Sequence, residues 1–136
     1  MTARRQSVRI GCGAGSAEDR IPPAVELAEQ GELDYLVLEC LAERTIAREQ
    51  LSKTGNPEAG YTPSLEERMR AVLGPCMKRG VRIVSNTGVA NPPAAARAVR
   101  RIARDLGLGN VPCAVVQGDD VSEAVRKRPE LRLMET

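Results

Sequence analysis

Four segments of this chain carry groups able to hold or activate a ligand: Gly11-Cys12-Gly13-Ala14-Gly15-Ser16, Glu39-Cys40-Leu41-Ala42-Glu43-Arg44-Thr45, Asn86-Thr87-Gly88-Val89-Ala90-Asn91-Pro92 and Gly118-Asp119-Asp120. Gly11, Gly13 and Gly15 permit turns that aim several backbone N–H groups inward. With Ser16 they form the candidate cradle for an anion such as a phosphate or carboxylate. Glu39 is the candidate catalytic acid/base, because it directly follows an apolar, buried-type run. Glu43 stands four residues on and faces the same cavity if a helix starts between them, as an acid/base partner or hard-cation ligand, but it reads more readily as a helix N-terminal carboxylate paired with Arg44 or Arg48. Asn86, Thr87 and Gly88 offer an amide, a hydroxyl and open backbone, a set suited to a carbonyl or thioester oxygen. Asn and Gly also build ordinary turns. Asp119 is a further candidate substrate-binding carboxylate, whereas Asp120, with Glu123 three residues later, has the spacing of a capping box.

Composition narrows what these segments could do. The chain has 136 residues and no His, so the usual general base and the commonest metal ligand are missing and a Ser-His-Asp site within it is excluded. Phe and Trp are also absent and only Tyr35 and Tyr61 are aromatic, which leaves no base-stacking platform. A net charge of +2 provides no general attraction to nucleic acid or an anionic membrane. The four cysteines, Cys12, Cys40, Cys76 and Cys113, form no CxxC pair and read as small core residues of a reduced compartment. No metal site is expected, and no cofactor is assigned. Neither an export signal nor a membrane span is recognisable, so a cytoplasmic location is expected.

Positioning the four segments requires strands that end beside them. Val8-Arg9-Ile10, Tyr35-Leu36-Val37-Leu38, Val81-Arg82-Ile83-Val84 and Cys113-Ala114-Val115-Val116 are short apolar runs of the kind covered on both faces. Helical patterns lie between them at residues 23–30, 42–51, from Thr62-Pro63 onward, at 92–106 and at 121–127. The clearest is 92–106, with Ala95, Ala98, Val99, Ile102 and Leu106 on one stripe, four Arg opposite, Asn91 as N-cap and Pro92 in the first turn. In the helix after Pro63, Gly74-Pro75 is expected to kink or split the element. Leu131-Arg132-Leu133-Met134 reads as the start of a fifth strand. The expected fold is α/β: a three-layer, mostly parallel, Rossmann-like sheet of four to five strands flanked by helices. Ligands of such sheets bind outside the carboxyl ends of the strands, which is where all four segments fall. A dinucleotide fingerprint is only partly matched. Ser16 replaces its third Gly, the helix begins only at Pro22 or Pro23, and Glu18 and Asp19 would oppose a pyrophosphate.

The stretches VRIGCGAG, AVELAEQGELDYLVLECLAERTIA, EERMRAVL, GVRIVSNTGVANPPAAA and AVVQGDDV, in this order, resemble the N-terminal part of the acyclic terpene utilisation family. Members of that family are encoded with genes for bacterial catabolism of acyclic terpenes such as citronellol and geraniol, through acyl-CoA intermediates and a biotin-dependent carboxylase. The resemblance therefore implies a catabolic enzyme domain acting on an acyclic terpenoid or branched acyl compound, an acyl-CoA included. It brings no catalytic residues with it. It also implies that residues 1–136 are the first part of a longer, incomplete domain, with self-association or a partner domain expected at an exposed sheet edge. Two alternatives stand beside it: a non-catalytic assembly module of a terpene-degrading complex, using the basic helix as a contact, and a nucleotide-binding domain.

Overall fold

The computed structural model describes residues 7–132. Tyr35–Leu38 forms strand β2, and its alternation is plain: Leu36 and Leu38 are fully buried, while Tyr35 and Val37 are half-buried on the opposite side. Strand β1 (Ile10–Ala14) pairs with β2 in parallel, and β2 pairs in parallel with β3 (Arg82–Ser85), giving the order β1-β2-β3. In register, Gly11, Leu36 and Ile83 stand side by side on one face, and Cys12, Val37 and Val84 on the other. An irregularity between Cys12 and Ala14 bends the end of β1.

Five helices accompany the strands among the described residues: α1 (Pro22–Gln30), α2 (Glu43–Gly55), α3 (Leu65–Arg79), α4 (Pro92–Asp105) and α5 (Ser122–Arg126). Each β-to-β connection is a parallel crossover, and two successive right-handed crossovers stepping the same way across a sheet leave their helices on the same side. Accordingly α1 packs on α3 and α3 on α4. The core lies between these helices and one sheet face, around Ala24, Ala28, Leu36, Leu38, Leu65, Val72, Leu73, Cys76, Ala98 and Ile102. Each fully buried Leu or Ile contributes roughly 1.5–3 kcal/mol relative to exposure.

Three expectations are corrected. The described residues form two layers, not three: the far face of the sheet is open, with Ile10 65% and Val84 51% exposed. Among the described residues the sheet has three strands instead of the expected four or five. Residues 113–116 make no ladder, because Pro112 brings no N–H and Arg100 Nη2 takes the Cys113 carbonyl at 2.8 Å, an acceptor a ladder would need. Leu131 and Arg132 are not in a strand either, and Leu133 and Met134 lie outside the described residues. Among the described residues no fourth strand lies beside β1 to make a topological switch point, so Rossmann-likeness is not established. Finally, Pro75 does not split α3, since the buried Val72, Leu73 and Cys76 on either side of it hold the helix together across the missing backbone bond. Gly80, at φ 70°, then ends α3 in the left-handed region.

Candidate functional site at the strand ends

The parallel sheet brings the carboxyl ends of three strands together. Glu39 N–H donates to the Ala14 carbonyl at 3.0 Å, and Asn86 N–H reaches the Leu38 carbonyl at 3.4 Å. Asn86 then links β2 to β3 through its side chain. Its Nδ2 donates to Glu39 Oε1 at 2.9 Å, while its Oδ1 accepts from the Cys40 N–H at 2.6 Å. The same Glu39 oxygen accepts from the Leu41 N–H at 2.8 Å. These donors hold the Glu39 carboxyl below the usual carboxylate range, Asn86 contributing most and the Leu41 amide next, against a smaller opposing effect of desolvation. At neutral pH it is therefore a carboxylate, with Oε2 free of hydrogen bonds among the described residues. Such a group accepts a proton; it does not arrive carrying one.

The glycine-rich segment divides in two. Gly11 and Gly13 belong to β1 and are buried. A Cβ at Gly11 would come within 2.5 Å of Leu33, and one at Gly13 within 2.9 Å of both Leu36 and Leu38, so both are glycines because of packing. Gly15 and Ser16 reach the rim with their amides gathered as expected, yet those amides are filled from within the chain. Asp19 Oδ2 accepts from Gly15 N–H at 2.7 Å and from Ser16 N–H at 3.0 Å. Glu18, held by Ser16 and its own amide, is likewise kept ionised below the usual range.

The loop after β3 is held tightly. Thr87 is buried and its hydroxyl accepts from Ser85 Oγ at 2.8 Å, so it faces the fold. Gly88 packs on Pro92, with room for no side chain. Val89 sits at φ 44°, a costly conformation for a β-branched residue, maintained by the Val89 N–H to Asn86 O and Ala90 N–H to Gly60 O bonds. Asn91 is buried, donates from Nδ2 to the Pro57 and Ala59 carbonyls and caps α4 at Ala94 N.

Glu39 and Asn86 are thus joined directly, while Gly15 and Ser16 meet them through adjoining residues, by way of the Ala14 carbonyl that takes the Glu39 N–H and the long Cys40 Sγ contact with the Ser16 carbonyl. Asp119 does not join them. It opens on a separate groove of about 530 Å³, bordered by Lys53, Val89, Asn91, Pro92 and Asp120. Asp120 accepts from Ser122 N–H at 3.0 Å ahead of α5 and approaches Lys53 at 3.6 Å, while Glu123 pairs with Lys127 and forms no capping box. Glu43 is an exposed first-turn residue of α2; Arg44 and Arg48 pair with Glu18 and Glu49 instead. Cys40 and Cys76 are buried, and burial raises both thiols, Cys76 to about 11; Arg68 partly offsets the rise at Cys40. Arg68 is the residue that sequence reasoning overlooked. It lies three residues after Leu65 and four before Val72, an inward helical spacing that would have marked it.

None of the helices described is long and apolar enough to cross a membrane. A family model described as acyclic terpene utilisation family protein AtuA matches residues 8–136. Neither curated proteins nor solved structures give a significant match.

Proposed function

Because the chain belongs to the acyclic terpene utilisation family, we propose that its strand-end rim binds the carbonyl-bearing end of an acyclic terpenoid or branched acyl compound, a CoA thioester included, in a catabolic enzyme. The observation that carries this reading is the node in which Asn86 fixes the Glu39 carboxylate and the start of the Cys40 segment at once. A carboxylate so fixed is ionised, as a general base acting on a proton next to a carbonyl must be, and it gains base strength when a bound substrate loosens the hydrogen bonds that lower its pKa. Removal of such a proton leaves an enolate whose oxygen needs donors, and the Asn86 amide lies beside the base for that purpose.

The assembly reading also has an observation in its favour, the open apolar face of the sheet with Ile10 and Val84 exposed. A thermal-shift screen against CoA, acyl-CoA esters and nucleotides separates the readings, since a ligand at 100 times its Kd adds about 2.7 kcal/mol. The expected result is stabilisation by an acyl-CoA or a terpenoid acid, with Glu39→Gln retaining binding and losing turnover. Turnover that survives Glu39→Gln would remove Glu39 as the base. Absence of any shift, with stable capture of another subunit, would favour the assembly role.

A further inference from the structure

Arg68 projects from α3 into the interior and is completely buried. A guanidinium remains protonated in any protein environment, so an interior one without a counter-charge is strongly unfavourable. Its Nη2 donates to the Asp19 carbonyl at 2.7 Å, while Nε and Nη1 have no partner among the described residues. Among the described residues Thr62, in the segment leading into the same end of α3, is the other buried residue with an unpartnered side-chain polar atom. A neutral carbonyl contact at one N–H leaves both the charge and four of the five N–H groups of the fork unanswered.

Residues 16–19 cover this head group as a strap. Ser64 Oγ donates to the Ala17 carbonyl at 3.0 Å, Arg68 holds the Asp19 carbonyl, and Cys40 Sγ makes a long 3.8 Å contact with the Ser16 carbonyl. Glu18 and Asp19 at its outer end are exposed. The Asp19 carboxylate on the Gly15 amide and the exposed Glu18–Arg44 pair complete its ties, and what the strap offers the guanidinium is a dipole where a charge is wanted.

We infer that Arg68 anchors a site for one carboxylate group, which takes the place of the Asp19 carbonyl when the strap lifts. The planar fork matches a planar carboxylate with two parallel hydrogen bonds. Phosphate fits less well, because Glu18, Asp19 and Glu39 all act on the Cys40 thiol that Arg68 also reaches, and they oppose a dianion more than a monoanion. The ligand class is therefore a carboxylic acid. The inference goes beyond the function proposed above and stands or falls without Asn86 or an acid/base role for Glu39.

The test uses acetate as the probe, with phosphate and chloride at matched ionic strength, on the whole chain. Tm should rise with acetate, saturate, and exceed the response to either other anion, and the Arg68 Nε–H resonance should shift over the same concentrations. Arg68→Met should abolish the acetate response while Glu39→Gln keeps it, which separates this site from the acid/base reading. If Arg68→Met fails to fold, the Nε–H titration of the unaltered chain decides alone. A phosphate-only response, a response equal to that of chloride, or an unmoved Nε–H signal would overturn the inference.

Discussion

On β2, Leu36 and Leu38 face the helices and are wholly enclosed, while Val37 between them faces the other way, beside Val84, which is half exposed. The two faces of one short sheet differ in completeness more than in composition. Both are apolar, but α1, α3 and α4 all gather on one of them. A strand's apolar run records that two faces ask for cover. It does not record which elements supply it. Near the amino ends of the strands, the open face also holds the Arg82 guanidinium 5.6 Å over the Tyr35 ring, with Arg82 Nη1 donating to the Tyr35 hydroxyl at 3.1 Å. Together these residues make an amphipathic surface with a polar end.

The contrast can be broken most forcefully at Leu36. Replacing this fully buried side chain with Ala should cost about 2–5 kcal/mol, read as a lower midpoint in denaturant; a loss below 1 kcal/mol would mean the helix-covered face is loosely packed. Gly13→Ala comes next, at about 1–3 kcal/mol, because its new methyl would press on Leu36, Leu38 and Ala24. Glu39, at the end of β2, gives a smaller and pH-dependent effect. Its folded-state ionisation is lowered, so its contribution is complete above the ordinary Glu value of ~4.3 and disappears as pH falls through the lowered value. The Tm difference between the unaltered chain and Glu39→Gln should then be flat at neutral pH and narrow only in acid. The smallest effect belongs to Val84→Thr on the open face, within about 0.5 kcal/mol, with any self-association in sedimentation reduced. A large loss there would show that the far face is covered after all.

Much of what faces the helices was legible in the residues. Tyr35–Leu38 was bounded correctly, and Asn91-Pro92 marked the start of α4 through a cap and a fixed φ, both purely local effects. The meeting of Glu39 with Asn86 followed from parallel strand direction alone. What failed was long-range. The strand expected at 113–116 is absent where Pro112 brings no N–H and Arg100 holds the Cys113 carbonyl, and the third layer is absent because successive crossovers stack on one side. Asp119 misled for a similar reason: following a strand-like run places a residue at the common rim only if that run joins the sheet.

The carboxylate of Asp19, resting on the amides of Gly15 and Ser16, has a consequence for competition. A group tethered a few residues away acts at an effective concentration on the order of millimolar or higher. Any free anion must outcompete that built-in occupant before it touches the turn. A glycine-rich loop that looks, by its letters, like an open receptor is in this chain one already answered, and incoming charge is directed elsewhere.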